Sequence, residues 1–156
     1  MARIGHGYDL HRLVADRPLI LGGITVPFAK GLLGHSDADV VLHAICDALL
    51  GAAALGDLGQ HFPDTEARFA NADSRTLLRH IKDLLTEDGH TISNVDVSLL
   101  AQSPKLSPYR EQMRQNIADD LNLSLNAVSV KFTTTEGLGE IGNGEAMSAY
   151  AVVLLE

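Results

Sequence analysis

Apolar positions in this chain switch between a spacing of two, the mark of a half-buried strand, and spacings of three and four, the mark of a helix. The stretch GHGYDLHRL, residues 5 to 13, alternates as a strand. Its even face, with Ile4, His6, Tyr8 and Leu10, is the more apolar and is expected to turn inward. That leaves Asp9 and His11 together on a face cleared by Gly5 and Gly7. PLILGGITVPF places two short apolar runs around Gly22 and Gly23 and predicts a hairpin. GLLGHSDADV reads as a glycine-punctuated loop, and ADVVLHAICDALLGAAAL, from Ala38 to Leu55, as a buried helix that stops at the turn GDLG.

Beyond the loop QHFPDTEARFANAD, the stretch SRTLLRHIKDLLTEDG repeats apolar residues at Leu77, Leu78, Ile81, Leu84 and Leu85 and predicts a second helix, capped by Asp73 or Ser74 and stopped at Gly89. ISNVDVSLLA alternates as a strand. A third helix is expected from Ser107 as cap and Pro108 as first helical residue to about Asn122. VSVKFTTT and MSAYAVVLLE read as strands joined by the glycine-rich EGLGEIGNGE. The last strand is apolar on both faces, which suggests a cover on each side, one of them another subunit. The class expected is α+β, a single domain over 1–156 with a mixed sheet packed on helices.

Composition narrows the picture. At 156 residues one domain can bury about 70% of the surface its unfolded chain exposes. With 4% aromatic residues and no tryptophan, aliphatic packing must dominate the core. The single Cys46 forms no internal disulfide, and neither a signal segment nor an apolar run long enough for a bilayer is present, so a cytoplasmic protein without membrane contact is expected. A formal net charge of −8 leaves no basic stripe for nucleic acid. An acidic protein that handles a small polyphosphate needs local positive charge, and bound metal ions supply it economically.

Three ligands with an open fourth position make a catalytic zinc site. Asp9 and His11 are two candidates, although two such residues taken alone read more plainly as a surface acid beside a surface histidine. His43 is the third. It falls on the buried helix with Asp39 and Asp47 one turn before and after, which suits either a metal ligand oriented by a carboxylate or a core histidine satisfied by one. Cys46 is expected to be packed rather than ligating.

The motifs GHGYDLH, GHSDADVVLHAICDALLGAAALGDLGQHFPDT, AQSPKLSPY and VKFTTTEGLG, in this order and spacing, resemble the 2-C-methyl-D-erythritol 2,4-cyclodiphosphate synthases over nearly the full length. The resemblance implies a homotrimer around a central axis, with active sites between subunits and one Zn2+ per subunit held by Asp9, His11 and His43. It implies an intramolecular phosphoryl transfer on a cytidine diphosphate substrate. Glu136 would hold a second divalent ion, Mg2+ or Mn2+. His35 and Ser36, in a loop that Gly31 and Gly34 would let move, would approach the phosphates, with Thr134 and Thr135 completing the catalytic contacts. Asp57, Leu58, Gly59, Phe62, Asp64 and Glu66 would surround the methylerythritol. Ala101, Gln102, Ser103, Pro104, Lys105, Leu106 and Thr133 would take the cytidine side. His61, His80 and His90 are expected at the surface.

Two other functions share these residues: a metal-dependent phosphohydrolase with water as nucleophile, and a non-catalytic trimer that binds isoprenoid diphosphates. The chain departs from the family pattern after TTTE. Glu140 and Asn143 stand where many members carry an aromatic residue and an arginine lining a cavity on the trimer axis, so weak binding of isoprenoid diphosphates there is expected.

Overall fold

The computed structural model describes residues 1–156. Seven strands and five helices run in the order β1 (Arg3–Ala15), β2 (Leu19–Leu21), β3 (Ile24–Val26), β4 (Lys30–Leu32), α1 (Val40–Ala53), α2 (Leu58–His61), α3 (Ser74–Glu87), β5 (Ile92–Leu100), α4 (Arg110–Leu121), β6 (Val128–Thr133), α5 (Gly139–Gly142) and β7 (Ala146–Leu155). The five-stranded sheet has the order β4-β1-β7-β5-β6, and β2 and β3 form a separate hairpin. Only β5 and β6 run parallel, as the helical crossover through α4 between them requires. None of the helices is long and apolar enough to cross a membrane.

Helix α1 lies across β1 and β7, α3 packs on α1, and α4 packs beside α3 and on β6. One aliphatic core joins them, with Leu42, Ile45, Leu49, Leu50, Leu78, Ile81, Leu99 and Met113 fully buried. Asp39 caps α1: its carboxylate accepts from the Leu42 N–H and from the Gly22 and Gly23 N–H groups, so one side chain starts the helix and seats the hairpin turn. Arg75 and Arg79 of α3 both donate to the buried Asp120 of α4, at 2.8–3.0 Å.

The inward face of β1 is the odd one, contrary to the alternation read from the sequence. Gly5, Gly7 and Leu13 are buried and Asp9 and His11 half-buried, while Ile4, Tyr8 and Leu10 are exposed. The glycines explain the inversion. A Cβ on Gly5 would sit 1.8 Å from the Ala48 carbonyl oxygen, and one on Gly7 1.8 Å from that of Ala44. The strand therefore meets the alanine stripe of α1 backbone to backbone, and the glycines make room for a helix rather than for a ligand. Tyr150 and Val152 of β7 share the exposed face with Tyr8, whose ring lies 4.9 Å from that of Tyr150.

Smaller differences have local causes. Gly31 and Leu32, expected in a loop, form β4, because Leu32 is fully buried and pairs with Leu13. Asp73 caps α3 and Ser74 is its first residue. Ser107, expected as a helix cap, instead opens a 3₁₀ turn over Ser107–Tyr109 that leads into α4, and Asn122 closes that helix in the left-handed conformation. The glycine-rich segment before β7 contains α5, which the absence of a helical apolar period concealed.

Candidate active site

The odd face of β1 and the first turns of α1 bring Asp9, His11 and His43 together. The Asp9 Oδ2 atom lies 2.8 Å from His11 Nε2 and 3.1 Å from His43 Nδ1, and the two ring nitrogens are 3.3 Å apart. These are the only three acid, cysteine or histidine side chains gathered closely enough to share an ion. Ligands on a tetrahedral ion with bonds of about 2.0–2.1 Å are separated by about 3.3 Å, close to the spacing found.

The outer nitrogens fix the inner ones. His11 Nδ1–H donates to the Leu33 carbonyl at 2.8 Å, which turns its Nε2 lone pair toward Asp9. His43 Nε2 lies 2.8 Å from Ser74 Oγ, leaving Nδ1 toward Asp9. Two imidazole lone pairs and a carboxylate oxygen thus converge, and a proton or a cation must sit among them. Burial pushes the Asp9 carboxyl up, but hydrogen bonds from His11 and His43 outweigh it and hold it well below the usual carboxylate range. Burial pulls His11 down, and the Asp9 bond and charge overcome that to raise it. The donor set fits a divalent cation.

The expectation that Asp39 or Asp47 orients His43 is wrong. Asp39 is consumed by the α1 cap and the hairpin turn, and Asp47 Oδ1 accepts from the Leu58 N–H at 2.7 Å. Spacing along one helix placed both acids near His43, but the partner comes from α3, which helix periodicity does not reach. Cys46 is fully buried in the core, as expected.

A cleft of about 560 Å³ opens on the triad, lined by His11, His43, His35, Ser36, Leu58, Gly59, Phe62 and Asp64, with Pro63, Thr65, Phe69 and Leu77. The loop bearing His35 and Ser36 is held on both sides. Arg17 donates to the Leu32 and Ser36 carbonyls, Asn71 N–H to the His35 carbonyl at 2.7 Å, and Asp37 N–H to that of Ala72 at 3.1 Å. Its glycines are closely packed. A Cβ on Gly31 would lie 2.2 Å from the Pro18 carbonyl, and one on Gly34 would press on His11. The Ser36 hydroxyl accepts from Ala38 N–H and lies 3.2 Å from His43 Nε2. Asp57 and Glu66, expected around the sugar, are partly engaged elsewhere: Asp57 Oδ1 caps α2, and the Glu66 carboxylate pairs with Arg68 at 2.5 Å.

A second cleft of about 420 Å³ gathers Ala101, Gln102, Pro104, Lys105, Leu106, Thr133 and Thr134. Arg110 and Phe132, which the sequence reading missed, also line it, with the guanidinium 5.0 Å above the ring. Gln102 accepts from Gly137 N–H at 3.2 Å, which holds the turn carrying Thr135 and the exposed Glu136 beside the loop of Ser103. Glu136 stands outside the triad, and the two clefts share no residue within one chain. Glu140 and Asn143 are exposed on and just after α5, outside both.

Residues 2–156 match the YgbB family. Proteins named 2-C-methyl-D-erythritol 2,4-cyclodiphosphate synthase from Geobacter metallireducens and Paraburkholderia xenovorans are 59% and 60% identical over 99% and 98% of this chain, and 98% and 96% of their own. The bifunctional IspDF of Campylobacter jejuni superposes with a TM-score of 0.96 at 43% identity; 99% of this chain is covered, and it spans 42% of that longer protein. IspF of Plasmodium falciparum, solved as a CDP complex, superposes at 0.87 with 36% identity over 99% of this chain and 95% of that one. A match of this length and identity, on a fold that superposes throughout, establishes that the chain belongs to the YgbB family.

Proposed function

We propose that this protein is an enzyme that converts 4-diphosphocytidyl-2-C-methyl-D-erythritol 2-phosphate to 2-C-methyl-D-erythritol 2,4-cyclodiphosphate and CMP, a step toward isoprenoid precursors. The observation that carries this reading is the convergence of Asp9, His11 and His43 at the wall of the larger cleft, in a chain so similar to synthases of that name. An oxygen of the 2-phosphate attacks the β-phosphorus, the bond from that phosphorus to the bridging oxygen breaks, and CMP leaves with the electron pair. The nucleophile is already an anion, so no side chain needs to take a proton from it.

The chain's residues supply positioning. Asp9, His11 and His43 hold Zn2+, and Glu136 holds a second ion, Mg2+ or Mn2+, whose hard oxygen preference suits a carboxylate with phosphate oxygens. When bound, the ions polarise and neutralise the phosphate oxygens. The braced His35–Ser36 loop presents donors to the phosphates, and Leu58, Gly59, Phe62 and Asp64 enclose the methylerythritol. The smaller cleft takes cytidine, with Lys105 and the hydroxyls of Thr133, Thr134 and Thr135 toward the diphosphate. Its separation from the triad cleft within one chain supports a trimer whose sites join the triad of one subunit to the smaller cleft of the next.

Phosphorus NMR of the zinc-loaded protein with the cytidyl substrate tests this. A cyclic diphosphate and CMP in equal amounts are expected. An opened diphosphate would make it a hydrolase, and an unchanged substrate would leave it a binding protein.

A further inference from the structure

We infer that Asp37 and Ser74 are positioning residues that set the tautomer of His43 and so its metal-binding nitrogen. The inference rests on the metal reading above. Ser74 is fully buried at the first turn of α3, and its hydroxyl donates to Asp37 Oδ1 while its backbone N–H donates to Asp37 Oδ2 at 3.0 Å. A hydroxyl has one proton to give. With that proton on the carboxylate, Ser74 Oγ offers only a lone pair to His43 Nε2, 2.8 Å away, so Nε2 must carry the hydrogen. The Nδ1 lone pair then faces Asp9 and His11. Ser36 Oγ, at 3.2 Å and already accepting from Ala38 N–H, is the more distant partner.

The direction of this chain of hydrogen bonds is what matters, and two variants disturb it in different ways. Ser74→Ala removes the acceptor but leaves the backbone bond to Asp37, so His43 loses its orientation and either tautomer can form. Asp37→Ala removes the carboxylate that takes the Ser74 hydroxyl proton and that also accepts from the Ser74 and Asp39 N–H groups. The hydroxyl is then free to donate to His43 Nε2, which places the imidazole proton on Nδ1, where the ion should bind.

Zinc dissociation constants measured by chelator competition on the full-length protein, beside melting curves of the metal-free forms, decide the matter. Ser74→Ala should weaken zinc about 10–100-fold, the usual effect of removing a group that orients a metal ligand. Asp37→Ala should weaken it at least as much. Nitrogen-15 spectra of metal-free Asp37→Ala should show His43 protonated at Nδ1. Variants that melt earlier but bind zinc as tightly as the wild type would overturn the inference and leave a structural brace. Should Ser74→Ala fail to fold, Asp37→Ala carries the test alone, and zinc affinity unchanged in it is contradictory. A wild-type chain that binds no zinc would overturn the metal reading itself.

Discussion

His11 shows how much of this site is decided by where single protons go. The raised imidazole lies above its ordinary value of 6.5 because Asp9 favours the charged form, whereas a ligand to a cation must be neutral. In the metal-free protein, the stabilisation from His11 is complete below its unfolded value and is lost as pH rises through the raised one. That from Asp9, whose folded value is depressed, is present above 3.8 and lost as pH falls. The ion pair therefore supports the metal-free fold in mildly acidic solution, and metal must displace its proton. Zinc affinity should increase about tenfold per pH unit while His11 is protonated and level off above its raised value. A flat profile in a competition titration from about pH 5 to 8 would contradict that account. At this scale the sequence was partly legible: the triad types and their order are visible in GHGYDLH and VVLHAICD, but the partners of their outer nitrogens, Leu33 and Ser74, are 22 and 31 residues away and no local period connects them.

The elements that hold the triad do so by unusually close backbone approach. Long apolar periods gave α1 and α3 within a few residues, alternation gave β5, and VSVKFTTT and the doubly apolar MSAYAVVLLE gave β6 and β7. Alternation failed on β1 because the smaller face was read as the solvent face. Glycine carries no side chain to hide, so an inward Gly-x-Gly-x-Asp-x-His row looks polar although it is covered by a helix. Gly7→Ala tests the correction. Its methyl would meet the Ala44 carbonyl, which is backbone and cannot rotate away. Overpacking of this kind costs about 1–3 kcal/mol, or roughly 2–12 °C of melting temperature for a chain of this size. Pushing β1 off α1 also separates Asp9 and His11 from His43, so zinc affinity should fall with stability. A thermal melt and zinc titration matching the wild type would show that the strand does not approach so closely.

On the scale of the whole molecule, the exposed side of the sheet is the unfinished part. Ile4, Tyr8, Leu10, Tyr150 and Val152 form an apolar surface on β1 and β7 that a monomer would leave in water. The trimer proposed above covers it, and sedimentation should give three times the 16.7 kDa chain mass. Tyr150→Glu with Val152→Glu should yield monomers that keep zinc but release no CMP, because cytidine and triad clefts no longer meet; active monomers would refute the shared site. The β7 half of this surface was legible in a last strand apolar on both faces, whereas the β1 half and the separation of the clefts were not, since they depend on which side of β1 faces α1. The most direct test is anomalous diffraction at the zinc edge from crystals of the loaded protein with CDP. The account requires one peak per chain bonded to Asp9 Oδ2, His11 Nε2 and His43 Nδ1, with the turn carrying Thr134 and Glu136 of a neighbouring subunit beside it. A peak elsewhere, or His43 bound through Nε2, would contradict it.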